Sequence, residues 1–276
     1  MPRLIAYKGI RLLAQAQQEL IAQPQTRLVG HGKKYERFVS YGYLYNWYAV
    51  NKAVAEDDDG YSLAPEGWHV PTDAEWTTLT DWIIANSDFT IDTVGNALKS
   101  CRQVNSPEGG DCDTSTHPRW DEDATHYGVD EYGFAAIPGG FRFTDGGFIG
   151  LGTIGYWWSS TEYSSTYAWL RVMTHIIGNV NSNYLNKTYG FSVRLIRDTP
   201  TGWTVNETVV IDGNTYDTVK IGDQVWMVQN LATTKYRNGE DIPNVTDNTD
   251  WANDEAGARC AYGNDEDNVF VNLEWL

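Results

Sequence analysis

Residues 155–197 read GYWWSSTEYSSTYAWLRVMTHIIGNVNSNYLNKTYGFSVRLIR, and how this stretch folds decides what the chain presents to solvent. The block Tyr156-Trp157-Trp158-Ser159-Ser160 at one end and the alternating run Tyr189 to Ile196 at the other have the character of fixed framework. Between them Trp169, Arg171 and Met173 alternate with Leu170, Val172 and Thr174, so in a strand the two sets point to opposite faces. The set with the tryptophan is expected to be buried. The other continues through His175, Ile176, Ile177, Asn179, Asn181, Asn183, Tyr184 and Leu185. It mixes β-branched, aromatic and amide residues without the apolar pattern of a core, and is expected to be an exposed ligand-binding face.

The 276-residue chain has material for a large core: 41% of residues are hydrophobic and 13% aromatic, with 12 Trp. A buried aromatic removes roughly 150–250 Å² from water, so ring packing should dominate stability. The formal net charge of −17 opposes a phosphate backbone or an anionic membrane surface, which argues against nucleic acid as a partner. No apolar run reaches the length of a membrane span, and residues 1–30 lack the apolar core of a secretory signal; membrane insertion and export by the ordinary signal route are not expected. Cys101, Cys112 and Cys260 show no CxxC spacing. Cys101 and Cys112 flank a Pro/Gly-rich loop and either pair or remain two buried thiols.

Along the chain, Ile10 to Gln23 is rich in helix formers and stops at Pro24. Residues 1–37 read as a helical arm for attachment or oligomerisation, or as a helix docked on its own domain. Phe38 to Val50 is an aromatic strand-like segment. Thr72 and Glu75 form a capping box behind Pro71, and Trp76, Leu79, Trp82 and Ile83 have the spacing of a buried helical stripe. Gly133 to Arg142 reads as a strand running into a Gly-Gly turn. The pattern breaks at Thr199-Pro200-Thr201-Gly202, beyond which Thr208–Ile211 and Tyr216–Ile221 read as strands.

Several blocks carry a family resemblance: YGYLYNWYAV (41–50), GWHVPTDAEWTTL (67–79), GFAAIPGGFR (133–142), GYWWSSTEYS (155–164), YGFSVRLIRD (189–198) and IGDQVWMVQNLATTKYRNGEDIPNVTDNTDW (221–251). Together they closely resemble the Fibrobacter succinogenes major paralogous domain, which is similar to the formylglycine-generating-enzyme branch of the C-type lectin fold. The resemblance implies an α+β, C-type lectin-like architecture. In that family the IGxQxWM block precedes YGxLYNWYAV; here it follows YGFSVRLIRD. The chain thus looks circularly permuted near residue 200, with 38–198 as the main part and 199–276 completing the same domain. The alternative, a second truncated copy, would leave about 75 residues without a core of their own.

Some proteins of this fold resemble the variable proteins of diversity-generating retroelements, in which the strand block before the final GFSVR is the binding face. Adenine-directed mutagenesis of AAC or AAT codons yields any residue except Met, Trp, Lys, Gln and Glu. The candidate positions, Leu170 to Leu185 as named above, all obey that restriction, whereas Trp169, Met173 and Lys187 do not and fit a fixed framework. The resemblance therefore implies a non-enzymatic receptor-binding display protein on a phage tail fibre, or a bacterial surface adhesin. The partner would be a host-surface protein or glycan, bound by a homo-oligomer, a trimer in a tail fibre, with no cofactor.

An enzyme is the contrasting class. Relatives that oxidise cysteine to formylglycine bind copper through a cysteine pair, and Tyr156 to Arg197 contains none. Asp73 and Glu75 resemble a carboxylate pair but sit in a helical first turn, where they serve as caps. His69, His117 and His126 lack metal-ligand spacing, and Ser159 and Ser160 lie in no G-x-S-x-G elbow. EPN, QPD and WND calcium-lectin motifs are missing from the sequence. The acidic runs Asp57 to Asp59 and Asn264 to Asn268 read as solvated charge rather than calcium ligands.

Overall fold

The computed structural model describes residues 37–52, 61–199 and 201–272. The arm expected over residues 1–37 lies outside the described residues, except that Arg37 begins a strand. The acidic run Asp57 to Asp59 also lies outside them.

The capping box forms as its residues dictate. Thr72 accepts from the backbone N–H of Glu75 at 3.2 Å, and Glu75 accepts from that of Thr72 at 2.8 Å. It starts the longest helix, which spans Asp73–Asn86 and buries Trp76, Leu79 and Ile83. A second helix, Trp47–Val50, replaces the end of the expected aromatic strand, because Asn46 caps it through Ala49 N–H. Among the described residues the α-helices are, in chain order, α1 (Trp47–Val50), α2 (Asp73–Asn86), α3 (Val94–Leu98) and α4 (Asn248–Ala252).

The rest of the regular structure among the described residues is mostly strand, giving an α+β architecture in which those residues form two five-stranded sheets and two short two-stranded pairs. The first sheet is ordered β5-β4-β6-β7-β8, with β4 Gly139–Arg142, β5 Phe148–Leu151, β6 Ile154–Glu162, β7 Tyr167–Thr174 and β8 Ile177–Asn186. Its only parallel pairing is β4 with β6. The Gly-Gly expected as a turn opens β4 instead. Gly140 has φ +64°, and a Cβ there would lie 2.6 Å from the Tyr262 ring, so glycine is required for the close approach.

The second sheet is ordered β10-β11-β12-β9-β3. It joins β3 (Trp68–His69) and β9 (Ile196–Arg197) to β10 (Thr208–Ile211), β11 (Asn214–Ile221) and β12 (Gln224–Met227). Strands on both sides of residue 200 therefore hydrogen-bond to one another, with Trp226 opposite Ile196. The small pairs also join distant parts of the chain: β1 (Arg37–Val39) with β14 (Phe270–Asn272), and β2 (Leu44–Tyr45) with β13 (Arg259–Cys260).

Rings fill the space under α2. Trp76 lies 4.8 Å from Trp226, 5.9 Å from Phe134 and 6.4 Å from Trp157, measured between ring centroids. Asn230 links this core to its surroundings. Its Oδ1 accepts from Trp157 Nε1 and Arg194 Nε, and its Nδ2 donates to the carbonyl of Tyr41. Each bond satisfies a group that is otherwise costly to bury. Cys101 and Cys112 are joined in a disulfide, while Cys260 is a buried free thiol. Among the described residues, no helix is long and apolar enough to cross a membrane.

Candidate functional site

In the first sheet β7 is an interior strand, hydrogen-bonded along one edge to β6 and along the other to β8. Leu170 is 0% exposed and Val172 8%; with Ala168 they join the core cluster of Trp158 and Phe191. This corrects their placement on an exposed ligand-binding face. The apolar pair points inward because this face of β7 packs against the Trp158 and Phe191 rings, and alternation alone does not say which face is covered along its whole length.

On the opposite face, cover is partial. The first turn of α2 lies over Arg171, whose guanidinium pairs with the Asp73 carboxylate and donates to the Asp73 carbonyl and Thr77 Oγ1 at 2.9 Å each. A further bond reaches Ser182 Oγ on β8 at 2.9 Å. Met173 packs beside Trp157 in the core under α2. Toward the start of β7 this cover ends. Trp169, expected inside, is only half-buried, and Tyr163, Tyr167 and Tyr184 around it are exposed at 48%, 41% and 39%.

These rings form one surface cluster. Tyr163 and Tyr184 stack at 3.7 Å with planes 6° apart. Trp169 stands edge-on to both at 5.4 Å, and Tyr167 meets Tyr184 edge-on at 6.1 Å. A hydrogen bond with Tyr184 raises the pKa of Tyr163 above the ordinary tyrosine value. The ladder explains the assembly: Tyr184 is opposite Trp169, while an irregularity in β6 between Trp158 and Glu162 re-aims the chain leading to Tyr163. Reading the sequence by period two missed Tyr163, Tyr167 and Trp169. The available signal was composition, since Glu162-Tyr163-Ser164-Ser165-Thr166-Tyr167 has the Tyr/Ser enrichment of adaptable contact surfaces.

The other expected positions divide by exposure. Ile176, Ile177, Asn181, Asn183 and Tyr184 are exposed, while Thr174, His175, Asn179 and Leu185 are half-buried. β8 is an edge strand, and α3 lies against its beginning: a Cβ on Gly95 would lie 2.4 Å from the Asn179 carbonyl oxygen.

Two buried lysines hold this ribbon. Lys99 Nζ donates to the backbone carbonyls of Thr174 at 3.0 Å, Ile177 at 3.1 Å and His126, beside the Trp120 ring. Burial pushes its pKa down to about 8. Lys187 Nζ donates to the Ser165 carbonyl at 2.9 Å and lies over the Trp47 ring.

Of the histidines weighed for chemistry, His69 and His117 have side-chain partners, while the buried Nδ1 of His126 has none. His69 bridges Glu75 through Nε2 at 2.9 Å and Asp198 through Nδ1 at 2.6 Å; the Glu75 bond chiefly raises its pKa. His117 meets the Tyr41 hydroxyl. Asp265, in the acidic run near the C-terminus, accepts from the backbone N–H of Asp267. Among the described residues, no group of three or more His, Cys, Asp or Glu side chains is placed to hold a metal ion. Burial pushes the Cys260 thiol up to about 12.

Neither a curated protein nor a solved structure matches the chain. One family does, over residues 9–197 and 219–272. The match reaches into the stretch read as an arm and leaves unmatched the segment containing Thr199-Pro200-Thr201-Gly202. With most of its length covered in this way, the chain belongs to the Fibrobacter succinogenes major domain family.

Proposed function

We propose that this chain is a non-enzymatic binding module whose contact surface is the β7–β8 ribbon and its aromatic end. The observation that carries the reading is the cluster of Tyr163, Tyr167, Trp169 and Tyr184, which leaves ring surface in water on one face of the ribbon, while β8 exposes the amides Asn181 and Asn183 on its other face. Exposed aromatic groups supply most of the energy in contact surfaces, and amides adapt their hydrogen bonds to a partner. Substitution at the exposed positions costs little, about ±0.5 kcal/mol each, so the face is free to follow its ligand.

On this reading the domain is a circularly permuted C-type lectin-like fold of the formylglycine-generating-enzyme branch. The pairing of β12 with β9 across residue 200 supports it. Copper oxidase chemistry is disfavoured because Cys101 and Cys112 are bonded to each other and the Cys260 thiol is held protonated by burial. The module is carried, as a homotrimer, on a phage tail fibre diversified by a retroelement, or alternatively on a bacterial surface. The disulfide suits either carrier, since both face an oxidising exterior. A single ribbon is smaller than a standard interface of about 20–30 residues a side, so repeated copies would add avidity.

The test is adsorption of the fluorescently labelled chain to a panel of bacterial cells. Binding to at least one strain should fall at least tenfold in a Tyr163→Ala/Tyr184→Ala variant. Equal adsorption of both proteins to every strain refutes the reading. Diversification is tested separately, by looking beside the coding sequence for a reverse-transcriptase gene and a near-copy of the DNA for Tyr156 to Arg197 differing only at adenines.

A further inference from the structure

We infer that the contact surface is a two-part site for an uncharged polysaccharide, in which the tyrosine cluster stacks one sugar ring and an adjoining polar trough hydrogen-bonds the next. The inference rests on the ribbon being the contact surface and specifies what it contacts. The trough is an open depression of about 710 Å³ whose walls include Thr166 and Asn186, the chain and ladder neighbours of Tyr167. Ser165, Thr166, Asn186 and Thr188 contribute hydroxyl and amide groups to its walls, and Asp145 and Glu255 contribute carboxylates. The two parts meet where Tyr167 pairs with Asn186 across the ladder, directly after Ser165 and Thr166 in the chain.

Each part matches one side of a sugar. A pyranose has C–H faces that lie flat on an aromatic ring and an equator of hydroxyls that both donate and accept. Tyr163, Tyr167 and Tyr184 offer exposed rings for the first. Hydroxyl and amide side chains, which also donate and accept, suit the second, while carboxylates accept from sugar hydroxyls. The trough walls include two carboxylates and no lysine or arginine. On a chain of net charge −17 this repels sulfated, phosphorylated or uronic-acid polymers. A trough running off an aromatic platform fits a ligand with successive rings better than it fits the flat, broad face of a folded protein.

The walls are also set before any ligand arrives. Lys187 holds the Ser165 carbonyl at 2.9 Å and its own N–H donates to the Thr166 carbonyl at 3.0 Å. Asn186 Oδ1 accepts from both the N–H and the hydroxyl of Thr188 at 3.0 Å. Little ordering is then left to oppose binding.

The experiment is affinity electrophoresis of the full chain through native gels containing, one at a time, a β-1,4-glucan, an α-glucan, a mannan, a xylan, a galactan or a polyuronate. Retardation is expected in at least one neutral gel and not in the polyuronate gel. Tyr167→Ala and Glu255→Gln should each weaken it at least tenfold, with circular dichroism and melting curves showing both variants folded. Both positions are at the surface, so folding is expected to survive. Absence of retardation in every neutral gel overturns the inference, as does retardation that both variants retain or that is strongest on the polyuronate. If the gels are negative while cell adsorption still depends on Tyr163 and Tyr184, the polysaccharide inference falls and the binding module stands.

Discussion

Leu170 and Asn183 occupy the same rung of the β7–β8 ladder, yet their truncation should have opposite consequences. Leu170 is wholly buried in the cluster containing Trp158 and Phe191. Leu170→Ala removes three carbons; at about 0.8 kcal/mol per buried methylene this is about 2.4 kcal/mol of lost transfer energy. The cavity left among rigid rings raises the cost to about 3–4 kcal/mol. For a chain of this size each kcal/mol lowers Tm by about 2–4 °C, so a fall of about 10 °C is expected. Asn183 is exposed, and its Oδ1 accepts only a local bond from the Tyr184 N–H in this structure's hydrogen bonding. Asn183→Ala should cost no more than about 1 kcal/mol. Urea unfolding followed by tryptophan fluorescence measures both. If Leu170→Ala costs less than about 1 kcal/mol, or the two variants are equally destabilised, the assignment of β7 to the core is wrong.

Three further outcomes follow from the same structure. Arg171→Met leaves the Asp73 carboxylate without its cation and should cost about 3 kcal/mol, the lower end for a buried pair because Asp73 keeps 28% of its side chain in water; adding Asp73→Asn should recover part of this in urea titrations. His69 has a folded pKa above its ordinary 6.5, so its contribution is full below pH 6.5 and disappears as pH rises through the folded value. The Tm difference between the wild-type chain and His69→Gln should accordingly shrink between pH 6 and pH 9, and a constant or growing difference contradicts the bridge. Opening the Cys101–Cys112 disulfide, which spans a sequence separation of 11, should cost about 3 kcal/mol through loop entropy; a Cys101→Ser/Cys112→Ser variant melting with the wild type would exclude that.

Local chemistry was readable where neighbours in sequence carry it. The Thr72 cap, the Trp76-Leu79-Ile83 stripe and the Thr208–Ile211 strand are each specified by a few adjacent side chains, and each forms. The inward set on β7 was not readable, because Leu170-Val172 and Trp169-Met173 are both apolar enough to be buried. Which residues are covered depends on the Trp158 and Phe191 rings under one face and on where the first turn of α2 sits over the other, long-range facts absent from the strand's own alternation. Large rings at the margin of that cover remain in contact with water, which is why Trp169 and its tyrosines escaped a rule that sends tryptophan inside. The disulfide was open for a related reason: two cysteines flanking a loop are compatible with pairing, but only the folded loop brings their Cα atoms to 5.0 Å.

Lys99 and Lys187 grip oxygens that belong to the peptide chain itself, at residues 126, 165, 174 and 177. A peptide oxygen is the same atom whichever amino acid carries it. The ribbon's moorings are therefore indifferent to how its outward letters are spelled, and a new text can be written at Ile176, Ile177, Asn181 and Asn183 without the page shifting beneath it.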